Sequence, residues 1–303
     1  MSKQGIFLAC MLLVTLLEHS VCADKRPFYI IAHMVNSLRQ VKHYLDRGAN
    51  ALESDVQFNP DGSVREVFHG FPCDCFRTCH RSAKLSDYLQ HVREITDPNI
   101  EDSYYEKMLL QFLDLKLSSS NNKRESGKDV AKHVLDHLWS NDNNRKQEVR
   151  VVLYVEGTSD AEFFVGFIEE FKERGQESRL KDIGFDGGMS NLYEIRDMFK
   201  ALGIKNNIWQ GDGKTNCISA FYPDGRLRRA VFIRDAKNGF ISKVYHWTID
   251  LKIRMRSSLN LGVDGMITND PEDLLDVIQE PYYAESFRLA TKSDDPFIKY
   301  EGK

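Results

Sequence analysis

The chain has 303 residues, 42% hydrophobic and 28% charged, with 41 Lys and Arg against 45 Asp and Glu for a formal net charge of −4. The apolar fraction supports a sizeable core and argues against wholesale disorder. Without a basic excess, a general nucleic-acid binder is disfavoured, and an anionic substrate would have to be held by a local site.

The first element is a processing signal. After Met1-Ser2-Lys3-Gln4 the chain runs apolar from Gly5 to Leu17, broken only by Thr15. This is too short for a comfortable membrane span and suits a signal-peptide core, with a membrane anchor as the rival reading. Val21-Cys22-Ala23 places cleavage after Ala23. Residues 1–23 are therefore expected to be a signal peptide, and residues 24–303 a single catalytic domain of a secreted protein. Cleavage removes Cys10 and Cys22 and leaves Cys73, Cys75, Cys79 and Cys217. An even number on an oxidising export route predicts two disulfides, with zinc as a minor rival. A Cys73–Cys75 bridge would close a very tight ring and is the least favoured partnering. No Asn-x-Ser/Thr sequon occurs.

Eight β-rich runs follow: Phe28–His33, Ala51–Gln57, Leu109–Leu115, Arg150–Tyr154, Asp182–Asp186, Asn207–Gln210, Lys243–Ile249 and Asp264–Thr268. Amphipathic segments alternate with them. Leu38, Val41 and Leu45 share one helical face, and Phe163, Phe164, Phe167, Ile168 and Phe171 form a wide apolar stripe. Leu251–Leu261 and Pro271–Gln279 are further helices, and Gly48 and Gly203 stand where helix C-caps are expected. The alternation predicts an α/β fold, a (β/α)8 TIM barrel with long loops at its C-terminal face, the alternative being a doubly wound open sheet. The long connections are Asn59–Met108 and Leu117–Val149, with Ser118–Ser126 expected to be a flexible surface loop. No Gly-x-Gly-x-x-Gly or Walker-type loop is present.

In a barrel, chemistry gathers at the C-terminal ends of strands. His33 ends the first run. Glu53 and Asp55 lie two apart on the second and share a face, as do Asp114 and Lys116 on the third. Adjacent carboxylates repel unless a cation or proton lies between them, and an all-oxygen set suits a hard ion such as Mg2+. Scattered surface charge is the plainer reading. His69 follows in Val67-Phe68-His69-Gly70, and with His33 it offers an acid–base pair of the kind phosphodiester chemistry uses. His43, His80, His91, His133 and His137 are read as solvated.

The segments His33-Met34-Val35-Asn36, Glu53-Ser54-Asp55 and His69-Gly70-Phe71-Pro72-Cys73-Asp74-Cys75 closely resemble the sphingomyelinase D/phospholipase D toxins of spiders and other arthropods. The resemblance continues through Phe112-Leu113-Asp114-Leu115-Lys116, Ile208-Trp209-Gln210, Thr215-Asn216-Cys217, Lys243-Val244-Tyr245 and Thr268-Asn269. It implies a TIM barrel related to glycerophosphodiester phosphodiesterases, with His33 and His69 catalytic, one Mg2+ held by Glu53, Asp55 and Asp114, and Lys116 beside the phosphate. It also implies the bridges Cys73–Cys79 and Cys75–Cys217. The chain departs from the family at Asp295 and Phe297, where Asn and Trp are usual, so changed packing is expected there. Residues Glu156–Met189 match weakly.

The implied reaction is attack by the lipid's own hydroxyl, giving a cyclic phosphate and free choline or ethanolamine. Either histidine could serve as base, and covalent attack by His33 is a further route. Tyr245 and Trp247 share a strand face and read equally as a substrate wall or as barrel packing. Asn269 is expected to orient the phosphate or a catalytic neighbour, and Asp250 is a weaker candidate partner for Lys116. Phe71, Pro72 and Phe76 read either as an apolar loop touching a membrane surface or as packing around a disulfide. The expected substrate is a phospholipid at a membrane surface, met by a monomer through peripheral contact, with no nucleic acid. Two alternatives remain, a phosphodiesterase acting on soluble diesters and a non-catalytic lipid-binding homologue.

Overall fold

A computed structural model describes residues 25–139, 149–219 and 221–301; the expected signal peptide, with Cys10 and Cys22, lies outside the described residues. Strand β1 (Arg26–Ala32) leads through α1 (Leu38–Asp46) to β2 (Ala51–Phe58). Strands β3 (Val64–Phe68) and β4 (Ser82–Ala83) precede α2 (Leu85–Ile95) and β5 (Leu110–Lys116). Next come α3 (Lys123–His133), β6 (Arg150–Tyr154), α4 (Ala161–Glu173), β7 (Ile183–Asp186), α5 (Leu192–Ala201) and β8 (Trp209–Gly213). The chain finishes with α6 (Asn216–Ser219), α7 (Gly225–Asp235), β9 (Lys243–Trp247), α8 (Lys252–Asn260), β10 (Gly265–Thr268), α9 (Pro271–Gln279), α10 (Pro281–Ala284) and β11 (Phe287–Leu289).

Eight of these strands pair in parallel in the order β7-β6-β5-β2-β1-β10-β9-β8. The Phe185 N–H donates to the Asn207 carbonyl at 2.9 Å, and Phe185 bridges Ile208, which brings β7 against β8 and nearly closes the ring. This is the (β/α)8 barrel rather than the open sheet. Alternation along each strand splits the core in two. Phe28, Ile30, Leu113, Val151, Leu153 and Val244 pack outward against the helices. Tyr29, Ile31, Phe112, Val152, Trp209 and Tyr245 fill the barrel. The strand-start end is sealed by the tail. Phe297 is buried in the inner cluster, 2.7 Å from where a Cβ on Gly184 would stand, and the Trp209 Nε1–H donates to the Pro296 carbonyl at 3.0 Å.

The expected strands are present with ends shifted by a few residues. The hairpin of β3 and β4, and strand β11 beside β1, were not anticipated. The Ser118–Ser126 tract is not a flexible loop, because α3 starts at Lys123 inside it. The Asn122 side chain caps that helix by accepting from the Glu125 N–H at 3.1 Å, and buried Ser126 meets the Ser120 hydroxyl at 2.8 Å.

Helices α3 and α4 cross where glycines remove side chains. A Cβ on Gly127 would fall 2.0 Å from the Phe163 carbonyl oxygen, and one on Gly166 would fall 1.8 Å from that of Arg124. Both contacts are with backbone, so neither can be relieved by a rotamer change. Gly166→Ala is expected to destabilise the fold by about 3 kcal/mol, the upper range for overpacking, read as a lower urea midpoint.

His246, on the outward face of β9, was not singled out in the sequence. It is buried, with Nδ1 2.8 Å from the Ser258 hydroxyl of α8. Burial pushes its pKa down to about 4 from the usual 6.5. The folded state therefore holds it neutral while the unfolded chain protonates it. Its contribution is present above pH 6.5 and is lost as pH falls towards 4, by about 3 kcal/mol over that window. The difference in urea midpoint between wild type and His246→Gln should accordingly shrink between pH 7.5 and pH 4.5. Of the histidines read as solvated, His43 and His80 are exposed. His91 and His133 are part-buried instead, and desolvation lowers the pKa of both.

Candidate active site

At the C-terminal end of the strands lies a cavity of about 350 Å³ lined by His33, Glu53, Asp55, His69, Asp114 and Lys116, with Asp74, Tyr154, Glu156, Tyr245, Trp247 and others completing the wall. Glu53 and Asp55 point inward from β2, while Leu52, Ser54 and Val56 point to the helices. Parallel register sets Asp55 level with Asp114, Asp114 with Tyr154, and Tyr154 with Asp186, one row around the barrel.

Among the described residues, ligand oxygens of Glu53, Asp55 and Asp114 lie within 4.8 Å of one another and are the only group of this kind. Glu53 Oε2 accepts the Met34 N–H at 2.7 Å, but its Oε1 is buried without a hydrogen-bond partner, as is Asp114 Oδ1. Burial, then the charges of Asp55 and Asp114, raise the Glu53 pKa well above the usual carboxylate range. Burial raises the Asp114 carboxyl too, against the pull of Lys116. Asp55 goes down despite its burial, because of the Lys116 ammonium at 3.2 Å and an Asn36 side-chain N–H at 2.7 Å. Lys116 also reaches Asp114 at 2.6 Å. It does not pair with Asp250, as the sequence had suggested. Asp250 instead accepts from the Asn269 and Asn216 side chains, each at 2.8 Å, on the far side of the barrel. Three converging carboxylates with two orphaned oxygens fit a hard divalent cation.

The two imidazoles have ring centres 6.4 Å apart and stand nearly perpendicular, with 83° between their planes. His33 is placed by its N–H bond to the Thr268 carbonyl at 3.0 Å. Its Nδ1 lies 3.1 Å from both Asp74 Oδ2 and Asn269 Oδ1, and its Nε2 is 4.0 Å from Glu53. Burial alone would lower its pKa, but the Asp74 hydrogen bond and the surrounding carboxylates push it up to about 9. Asp74 moves the opposite way, well below its usual range, as expected of the partner. His69 leaves β3, held by the Gln57 side chain, which donates to the Phe68 and His69 carbonyls at 3.0 and 3.3 Å. Its Nδ1 is 2.8 Å from the Gly70 carbonyl, which can only accept, so Nδ1 carries the proton. Its Nε2 is left for chemistry.

The bridges Cys73–Cys79 and Cys75–Cys217 are both formed, which removes zinc. They fix the loop that carries Asp74, whose carboxylate also accepts from the Thr215 hydroxyl and the Asn269 side chain. The Asn216 side chain brackets Cys75, accepting from its N–H at 2.9 Å and donating to its carbonyl at 3.1 Å. Asn269 thus stands behind His33 rather than on the cavity wall and orients the ring. Asp74 and Arg77, which donates to Asn269 and to the His33 carbonyl, were missed as site residues. Their one sequence signal is position, since both lie between cysteines that the folded loop ties down. Tyr245 and Trp247 both line the cavity. Tyr245 also packs on Phe112 and Trp209 at 5.5 and 6.1 Å, so it serves as wall and core together. Phe71, Pro72 and Phe76 are exposed rather than packed around the bridge.

A family model described as dermonecrotic toxin SPH matches residues 23–297. A dermonecrotic toxin of Hemiscorpius lepturus is 42% identical over 281 residues, 91% of this chain and 85% of that one. One of Sicarius terrosus is 41% identical over 91% of this chain and 99% of its own. One of Loxosceles boneti is 37% identical, covering 92% and 100%. Among solved structures, a glycerophosphodiester phosphodiesterase of Parabacteroides distasonis superposes with a TM-score of 0.51 at 16% identity, covering 84% of this chain and 98% of that one. An Oleispira antarctica phosphodiesterase in complex with sn-glycerol-3-phosphate gives 0.50 at 15%, with the same coverage. These two are likenesses of fold.

Proposed function

The chain belongs to the dermonecrotic toxin family, and on that premise we propose that it is a secreted, Mg2+-dependent phospholipase D that cleaves the headgroup diester of sphingomyelin and lysophospholipids. The observation that carries this reading is the pair of imidazoles, ring centres 6.4 Å apart, in one cavity with three carboxylates and a lysine. A phosphodiester needs a base for the attacking hydroxyl, an acid for the leaving oxygen, and positive charge for the phosphoryl oxygens. The site offers each.

Glu53, Asp55 and Asp114 would hold the Mg2+, which supplies charge neutralisation at the phosphate. Lys116 adds a second positive contact. His69, protonated at Nδ1, presents Nε2 to the substrate. His33, held at Nδ1 by Asp74 and Asn269, presents its own Nε2 from the opposite side. One ring takes a proton and the other delivers one. The attacking hydroxyl is the lipid's own, so the products are a cyclic phosphate and choline or ethanolamine, and attack within one molecule gains from high effective concentration.

Exposed Phe71 and Phe76 beside the cavity support peripheral contact with the membrane surface that presents the lipid, and the protein acts there as a monomer. Two disulfides, and no described helix long and apolar enough to cross a membrane, support export by way of the residue 1–23 signal. The test is phosphorus NMR of sphingomyelin and lysophosphatidylcholine incubated with the protein, with and without EDTA. A cyclic phosphate that appears only without chelator is the expected result. A monoester as first product would point to hydrolysis by water, and no product from any choline or ethanolamine lipid would sink the reading.

A further inference from the structure

We propose that Glu156 receives the ammonium of the lipid headgroup and turns the site towards ethanolamine over choline diesters, an inference that rests on the phospholipase D reading above. It begins with strand register. Asp114 of β5 pairs with Tyr154, the last residue of β6, and two residues further along come Lys116, which ends β5, and Glu156, in the turn that follows β6. Both line the cavity. A cation and an anion thus leave the ends of neighbouring strands, which run roughly 4.8 Å apart. A zwitterionic headgroup carries its phosphate and its ammonium two methylenes apart, on the order of the same spacing.

The two side chains are not spent on each other. Lys116 turns down to Asp55 and Asp114, at 3.2 and 2.6 Å. Glu156 makes no side-chain hydrogen bond or ion pair among the described residues, and Lys123, the other cation in its field, is held by Asp160 at 2.6 Å. Each other carboxylate of the wall has a partner on at least one oxygen: Asp55 and Asp114 with Lys116, Glu53 with the Met34 N–H, and Asp74 with His33. The Glu156 backbone is held in place, while the residue itself is exposed. Its carbonyl accepts the Met189 N–H at 3.0 Å, and the loop closes that tightly because Gly188, at φ +73°, has no Cβ. A Cβ there would fall 2.3 Å from the Glu156 carbonyl oxygen.

The chemistry of the two headgroups separates them. A primary ammonium has three N–H donors and forms short, charge-assisted bonds to a carboxylate. A trimethylammonium has none, and is bound best by several aromatic faces at once. Of the rings on this wall, Phe112 and Tyr245 are packed together with Trp209. Tyr154 and Trp247 remain, too few for a cage.

The experiment is calorimetric titration of the protein and of Glu156→Gln with phosphoethanolamine and with phosphocholine, beside kcat/KM on lysophosphatidylethanolamine and lysophosphatidylcholine. Glu156→Gln is expected to weaken phosphoethanolamine binding, and cleavage of the ethanolamine lipid, by about tenfold, and to move the choline values by less than about threefold, the loss of one charge-assisted bond. Glu156→Asp, which keeps the charge, should retain the preference. Equal effects on both headgroups, or none, overturn the assignment. Cleavage of both lipids with an unchanged ratio rejects Glu156 and leaves the phospholipase reading intact. A shifted binding ratio in a protein that cleaves neither lipid does the reverse.

Discussion

His69→Ala is expected to lower kcat/KM for headgroup release by about a hundred- to ten-thousandfold, the usual worth of one positioned proton-transfer group, with a thermal midpoint close to wild type. The ring follows the end of β3, part-buried, and among the described residues its one side-chain hydrogen bond is with the Gly70 carbonyl. Little packing is lost with it. His33→Ala should cost as much in rate but also some stability. It leaves Asp74 and Asn269, both buried, without the ring they hold at 3.1 Å. If the two rings act as one acid–base unit, the double variant should be hardly slower than either single one, since removing one proton-transfer partner already disables the other. Stopped assays on one lysophospholipid distinguish the outcomes. Full activity in either single variant would remove that histidine from the mechanism, and simple multiplication of the two losses would mean that the rings act in separate steps.

The barrel was legible because its strands are buried on both faces. Runs such as Leu110–Lys116 and Arg150–Tyr154 are apolar enough to stand out between helical patterns, and the carboxylates interrupt them at strand ends in i, i+2 pairs. The β3–β4 hairpin was not legible. Val64-Arg65-Glu66-Val67-Phe68 is half exposed and carries charges, so its burial pattern resembles a loop. Helix α3 hid for a related reason. Its buried residues are Ser126, Gly127, Val130 and Ala131, mostly small ones that give a weak apolar signal, with Gly127 at the close crossing with α4.

At the site, the sequence supplied the groups that line the cavity but not those that hold them. Glu53, Asp55, Asp114 and Lys116 announce themselves by local spacing, the histidines by standing at a strand end and just before the cysteine cluster, and family resemblance implies their catalytic role. The Asp74–His33–Asn269 contact joins residues up to 236 positions apart, and no periodicity encodes such a meeting. Lys116 illustrates the limit in the other direction. A long-range partner, Asp250, was sought for it, when strand alternation already set Asp114 on its own face two residues away. Phe297 behaves differently again. It stands where the family usually carries a larger aromatic, and it is buried against Gly184, so the plug is in place.

Glu53→Gln should abolish activity and at the same time make the metal-free protein more stable. The Glu53 carboxylate is buried, shares its space with Asp55 and Asp114, and has one oxygen bonded to the Met34 N–H and the other to nothing. An amide of the same shape keeps the Met34 bond through its oxygen and removes the charge. In the chelated protein the gain should be about 1–2 kcal/mol, because a buried charge crowded by two other carboxylates costs more than a buried amide. The sign of the pH dependence follows. A carboxyl whose folded pKa is raised above its unfolded value favours folding when protonated, so wild type should gain on Glu53→Gln as pH falls from 7 towards 4.5. Added Mg2+ should invert the order. At a hundred times its dissociation constant the ion adds about 2.7 kcal/mol to a protein that binds it, and much less to one that has lost a ligand. Urea unfolding in EDTA and in excess Mg2+ therefore gives a crossing of the two stabilities. A variant less stable than wild type in EDTA would show that Glu53 is a structural carboxylate satisfied by the protein alone. Parallel stabilisation of both proteins by Mg2+ would place the ion elsewhere.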